Sequence, residues 1–200
     1  MLRLLREKWL LILTVLVVCG IIFTSVYNPY TGPDLIDDPV QILLSKSEKI
    51  TCEGTDGPVT VICLASYKIM AAVKHVHRYS TDYSSKVSPM DLVLAWGSLN
   101  HPEIDSQIRY SQSNRWYYFQ YSADCPVDGQ YIQEHSANVH LIPADGQVRR
   151  QLNALRKNDT VEIEGYLVAV QFETGEWRSS LSRLDSGEGA CEIIYVTKIN

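Results

Sequence analysis

The sequence lacks the short patterns that identify many enzymes and most nucleic-acid-binding proteins. It contains no G-x-S-x-G, H-E-x-x-H or C-x-x-C pattern, no internal repeat and no low-complexity tract. It also has no run of lysine and arginine. Three of the 18 basic and one of the 23 acidic residues precede residue 28, which leaves 15 basic against 22 acidic residues, or −7. Because nucleic-acid binding depends on basic side chains that neutralise phosphates, this balance predicts no nucleic-acid partner.

Closely spaced metal ligands are equally scarce. Zinc sites usually contain Cys-x₂₋₄-Cys or His-x₃₋₅-His pairs. The cysteines here are far apart, and only the pairs His75/His77 and His135/His140 are close in sequence. We therefore predict neither a metal nor another cofactor.

One long hydrophobic segment is present near the N-terminus. Residues 10–26 contain no charge and no proline, and Trp9 and Tyr27 flank them. This is about the length of a helix that crosses a hydrocarbon core of ~30 Å, and aromatic rings favour both membrane interfaces. We predict a transmembrane helix at 9–27, with the lipid bilayer as its partner.

The charges around this segment predict its orientation. Arg3, Arg6 and Lys8 precede it, whereas three aspartates follow closely. The positive-inside rule then places residues 1–8 in the cytoplasm and the rest outside. A cleaved signal peptide is the alternative, although the apolar run exceeds the usual ~7–15 residues of a signal core.

The remainder divides into a linker and one domain. Residues 28–39 are rich in proline, glycine and aspartate, which is typical of a linker, and residues 40–200 suffice for one globular core. An even number of cysteines outside the cytoplasm favours disulfides. The four candidates are Cys52, Cys63, Cys125 and Cys191. They allow three pairings, one of which is a local hairpin bridge between Cys52 and Cys63 with Cys125 bonded to Cys191.

Hydrophobic periodicity predicts a mainly β (α+β) domain. Alternation over residues 67–80 indicates a strand, as do the aromatic run at 115–121 and the segment 160–171, in which Gly165 permits a bend or bulge. Ser88-Pro89-Met90-Asp91 resembles a helix start, and Asp145 can cap a helix with an apolar stripe at Val148, Leu152 and Leu155. About six strands and two helices fit a small, curved β-barrel-like domain of the OB-like or SH3-like kind.

Three segments carry a resemblance to a known group of proteins. HSANVHLIPA, EGYLV and WRSSLSRLDSGEGACEIIYV together resemble a family of uncharacterised bacterial proteins with an N-terminal membrane segment and a soluble domain. The resemblance covers approximately residue 67 onward and is most specific in the last sixty-odd residues. It implies a bacterial envelope location and leaves the activity open. Together with the predicted span and its orientation, this predicts a single-pass protein of the bacterial inner membrane whose domain lies outside the cytoplasm.

The predicted ligand-binding residues lie in two polar segments between apolar strands: His135, Asn138, His140, Arg178, Ser180 and Arg183. Imidazoles near neutral pKa are natural bases, and arginine with hydroxyls suits an anion. The structural alternative is that His135 and Asn138 hydrogen-bond a loop, that His140 packs on a strand edge and that Arg178 pairs with Asp185 or Glu188.

We therefore expect a membrane-tethered binding or assembly module without catalysis, whose partner is an envelope protein or a small anionic ligand. The alternative is an envelope hydrolase or thiol enzyme that uses Cys125 or Cys191 with His135 or His140.

Overall fold

A computed structural model of the chain describes residues 35, 37–185, 187 and 189–200. Within them lie nine strands: β1 (Val40–Gly54), β2 (Gly57–Arg78), β3 (Met90–Ala95), β4 (Ile108–Ser113), β5 (Trp116–Tyr121), β6 (Ser136–Pro143), β7 (Thr160–Phe172), β8 (Gly175–Arg178) and β9 (Glu192–Ile199). The helices of the same residues are α1 (Pro102–Asp105), α2 (Gly129–Glu134) and α3 (Gly146–Ala154), with 3₁₀ turns at Tyr83–Lys86 and Gly97–Asn100.

The main sheet has seven strands and curves back on itself. Its order is β1-β2-β3-β6-β9-β7-β8, and an additional pairing of β2 with β7 joins five of these strands into a ring. All neighbours are antiparallel except β6 and β9, which are parallel. The mainly β character and the curved sheet are as predicted.

Close packing between strands permits this ring. At Gly165 of β7 the register with β9 shifts, and a Cβ atom there would collide with the backbone carbonyl of Tyr195. Only glycine fits this approach, which confirms the predicted bend or bulge.

Local signals in the sequence predict several elements correctly. Helix α3 begins after Asp145, whose carboxylate accepts hydrogen bonds from the backbone N–H groups of Gln147 and Val148. Val148 and Leu152 are its buried residues. The strands predicted at 115–121 and 160–171 correspond to β5 and β7. The single strand β2 includes the one predicted at 67–80 except for its last two residues.

The helix predicted from Ser88-Pro89-Met90-Asp91 is wrong. The segment that follows is strand β3, in which all six residues are buried between β2 and β6. A short apolar run has no periodicity that separates a buried strand from a buried helix. The proline precedes the strand, where its missing N–H costs the ladder nothing.

The ring encloses the largest apolar core. It includes Ile69 of β2, Leu92 of β3, Leu141 of β6 and Ile163 of β7, and α3 adds Leu152. A second core lies where β1, β7 and the side chain of Trp177 cover the outer side of β9, and a third lies beneath α1, α2 and the β4–β5 hairpin.

The predicted disulfides are absent, since all four cysteines among the described residues are free thiols. Cys52 lies opposite Val59 in the β1–β2 hairpin and not opposite Cys63, whose partner is Glu48. Cys125 packs against the third core, whereas Cys191 directly precedes β9.

The predicted transmembrane helix at 9–27 and most of the predicted linker at 28–39 lie outside the described residues. Among the residues that are described, no helix is long and apolar enough to cross a membrane. The end of the linker contacts the domain: Leu35 is buried, its carbonyl accepts a hydrogen bond from the Gly97 N–H, and Asp38 accepts one from the Trp96 indole.

Candidate functional site

The candidate site lies on the outer face of β6, which is as buried as its inner face. Alternate residues of a strand point to opposite sides. Ala137, Val139 and Leu141 point into the ring core. Their neighbours on the outer side are polar and equally buried: Ser136, Asn138 and His140. Buried polar groups need partners, so the outer face requires a polar cover.

The β4–β5 hairpin provides that cover. Its turn residues Asn114 and Arg115 have φ values of 51° and 69°, the left-handed conformation that a two-residue hairpin turn requires. This conformation costs a non-glycine residue roughly 1–2 kcal/mol. The side chain of Arg115 makes contacts that offset the cost.

Arg115 joins the hairpin to the sheet through two carboxylates. Its Nη1 lies 2.6 Å from Oδ1 of the fully buried Asp91. Its Nε and Nη2 donate to Asp82 at 3.1 and 2.8 Å. The guanidinium also lies 3.7 Å from the centre of the Tyr79 ring. This paired arrangement compensates the desolvation of the Asp91 carboxylate.

Asn138 links the outer face to the hairpin. Its Nδ2 donates to the Arg115 carbonyl at 2.8 Å, and its Oδ1 accepts from Gln112 at 2.6 Å. Gln112 Oε1 is in turn 2.8 Å from His75 Nδ1. The Asn138 side chain is therefore fixed from both ends.

The side chain of His140 is influenced by the carboxylate of Asp91 and the thiol of Cys191. Its Nδ1 is 2.9 Å from Asp91 Oδ1, and register pairs the two residues directly. The ring also packs beside Trp177, with centroids 4.9 Å apart. Burial opposes the protonated form, but Asp91 and the thiol of Cys191 outweigh it and raise the pKa of His140 to about 9.

Cys191 opens onto a cavity of about 360 Å³ between the hairpin, β6 and the segment before β9. Its Sγ lies 3.6 Å from Asn138 Nδ2, on the face that also holds His140. One wall is the aromatic strand β5. The lining residues are Trp96, Trp116–Phe119, Gln133, Ser136–Asn138, Arg183, Asp185, Gly187 and Ala190–Glu192.

Carboxylates and one guanidinium complete the polar part of the cavity. Glu192 is almost fully buried, and this burial raises its pKa to about 7, with a further contribution from Asp185. Arg183 opposes that shift. The guanidinium itself donates to the Pro39 carbonyl at 3.1 Å. The cavity thus combines apolar rings with hydrogen-bonding groups of both signs.

The structure separates the six residues predicted to bind a ligand. Asn138 and Arg183 line the cavity, whereas His140 is buried outside its lining. His135 stacks on Tyr131, with centroids 3.9 Å apart, at a neighbouring depression. Ser180 donates to Asp185 at 2.7 Å, so its hydroxyl supports the loop. Arg178 lies exposed on β8, 3.3 Å from Glu176 rather than paired with Asp185.

No sequence pattern identifies two important side chains of the site. Arg115 and Asp91 are 24 residues apart and meet only because the hairpin folds over the sheet. The signal that could have found Asp91 is a lone carboxylate inside an apolar run. Among the described residues, no group of three or more histidine, cysteine or acidic side chains is arranged to hold a metal ion.

Comparison of the chain with protein-family models, with curated proteins and with solved structures finds no match. A function for the protein is therefore inferred from the geometry of the site alone.

Proposed function

We propose that this protein is a membrane-tethered binding module of the bacterial envelope, with its domain outside the cytoplasm, and that its ligand is an oligosaccharide. The observation that carries this proposal is the cavity, in which an aromatic wall faces buried amide, carboxylate and guanidinium groups. Ligand sites typically combine apolar lining with a few fixed polar groups.

The topology of the ring supports an OB-like domain. Its strand order is β2-β3-β6-β9-β7 with closure on β2, β6 and β9 are parallel, and α3 lies between β6 and β7. OB folds are five-stranded Greek-key barrels that bind oligonucleotides and oligosaccharides on their second and third strands and adjacent loops. In this ring those strands are β3 and β6, of which β6 lines the cavity.

Charge and aromatic exposure separate the two ligand classes. The net charge of −7 outside the predicted span disfavours an oligonucleotide. Trp116 and Tyr118 remain 40% and 52% exposed and are available to stack on sugar rings. A small anion is less favoured, because Arg183 shares the cavity with Asp185 and Glu192.

Calorimetric titration of the full-length chain in detergent micelles with chitotetraose tests the proposal. We expect saturable binding that weakens about tenfold in Tyr118→Ala, because one aromatic stacking contact is lost. The matched control is Tyr83→Ala, a similarly exposed tyrosine that packs on Phe172 and lies outside the cavity lining. Equal affinity of the two variants, or no binding of the sugar by the unaltered protein, would contradict the proposal.

A further inference from the structure

We propose that Cys191 is a nucleophile that accepts an acyl group from an ester carried by the ligand in the cavity, with His140 as its acid–base partner. Of the two cysteine candidates recognised in the sequence, only Cys191 lines the cavity. Cys125 packs against the third core instead. The inference rests on the proposed function only in that the substrate enters the same cavity.

The geometry provides the three parts that a cysteine nucleophile needs. The imidazole of His140 lies on the same outer face of the sheet as the thiol, which contributes to its raised pKa, and its Nδ1 lies 2.9 Å from Asp91 Oδ1. A nucleophile, a base and a third group that orients the base form the usual arrangement for covalent catalysis. Asp91 is a positioning residue here, because it reaches the thiol only through His140.

Asn138 provides a donor beside the sulfur. One of its amide hydrogens is committed to the Arg115 carbonyl, while Nδ2 also lies 3.6 Å from Cys191 Sγ. A fixed N–H at this position can stabilise the charge on a thiolate or on the oxygen of a tetrahedral intermediate. The hydrogen bond from Gln112 to Oδ1 keeps the amide in this orientation.

The charges around the imidazole favour its protonated form. The groups that face or influence His140 are Asp91 from β3, Cys191 and Glu192 at the start of β9, and Arg115, which pairs with Asp91 from the hairpin turn. An imidazolium next to a cysteine stabilises its thiolate, which is the reactive form.

The reaction balances without any redox partner. The thiolate attacks the ester carbonyl carbon and forms a C–S bond, and the bond between that carbon and the alkoxy oxygen of the ester breaks. The leaving alkoxide takes the proton of the His140 imidazolium. Water, deprotonated by the neutral imidazole, then attacks the thioester, which releases a carboxylic acid and restores the thiolate.

The first measurement is the alkylation rate of each cysteine in the full-length chain by iodoacetamide, followed by peptide mass spectrometry between pH 5 and 9. Cys125 is the internal control, because it is also partly exposed. We expect Cys191 to react at least tenfold faster than Cys125 at pH 6. Asp91→Asn and His140→Gln should move the Cys191 profile to higher pH while cooperative urea unfolding of each variant shows that the domain is still folded.

The second measurement is acylation by p-nitrophenyl acetate. We expect a burst of about one equivalent of p-nitrophenol and an acetyl group on Cys191, both lost in Cys191→Ser. Equal alkylation profiles of Cys191 and Cys125 in the unaltered protein would overturn the inference, and so would the absence of acetylated Cys191. Neither result depends on chitotetraose binding, so the two proposals fail separately.

Discussion

The two faces of strand β6 are equally buried but are stabilised in different ways. The inner face contributes Val139 and Leu141 to the ring core, where side-chain volume and apolar area determine stability. The outer face contributes Asn138 and His140, which depend on specific partners on β3 and the hairpin. Burial alone therefore does not distinguish core from site, whereas the kind of partner does.

The two faces of β6 should differ in the amino-acid substitutions that they tolerate. An apolar contact has no direction, so the inner face tolerates exchange among residues of similar volume. The outer face requires particular atoms at particular distances, since an unpaired buried polar group is costly. Truncation of an apolar side chain on the inner face and removal of a polar partner on the outer face should thus lower the stability by different amounts.

The largest expected effect is on the inner face. Leu141→Ala removes a fully buried side chain from the ring core and should lower the free energy of unfolding by about 2–5 kcal/mol. Urea unfolding of the full-length chain, followed by tryptophan fluorescence, measures it. The folded fraction should keep the selective alkylation of Cys191. A cost below about 1 kcal/mol would show that the ring core is not close-packed at this strand.

A smaller loss is expected on the outer face. Asp91→Asn keeps the shape but removes the charge opposite Arg115 and His140, and should cost about 1.5–3 kcal/mol. Arg115 retains Asp82, which limits the loss. The control is Asp82→Asn, whose side chain is 35% exposed and should matter less. Equal unfolding free energies for the two variants would mean that burial of the Asp91 partner is irrelevant.

The smallest expected effect is a pH dependence confined to the outer face. The pKa of His140 is raised from 6.5 to about 9, so the folded state holds the proton more tightly than the unfolded state. The associated stability is fully present below pH 6.5 and is lost as the pH rises through 9. The raised pKa of Glu192, about 7, affects mainly the range below pH 7.

Unfolding measured between pH 7 and 9 should therefore show a fall of about 2 kcal/mol in the free energy of unfolding. The fall should be absent in His140→Gln and unchanged in Leu141→Ala. A slope that persists without His140 would assign it to another group.

The sequence predicts those parts of the fold that depend on neighbouring residues. The cap at Asp145, the glycine at 165 and the alternation in β7 all act within a few residues, and each prediction is confirmed. The helix prediction fails at strand β3 because all six of its residues are buried, so no alternation of exposed and buried positions distinguishes the strand.

The site is predictable only in part for the same reason. Asn138 and Arg183 are among the predicted ligand-binding residues and line the cavity, and their role in binding stays a prediction. The pairing of Arg115 with Asp91 depends on a hairpin that folds over a sheet, and no local pattern encodes that. The direct surroundings of Cys191 likewise come from β3, β6 and β9 together.

The parallel pairing of β6 with β9 also has a kinetic consequence. It brings Asn138 beside Cys191 across 53 residues of chain, and α3, β7 and β8 lie between them. Contacts of such sequence separation form late, because the entropy of closing the loop must be overcome first. Until β9 is added to the sheet, Cys191 is an ordinary flexible thiol without its imidazole. The reactivity of this one side chain therefore reports the completion of folding.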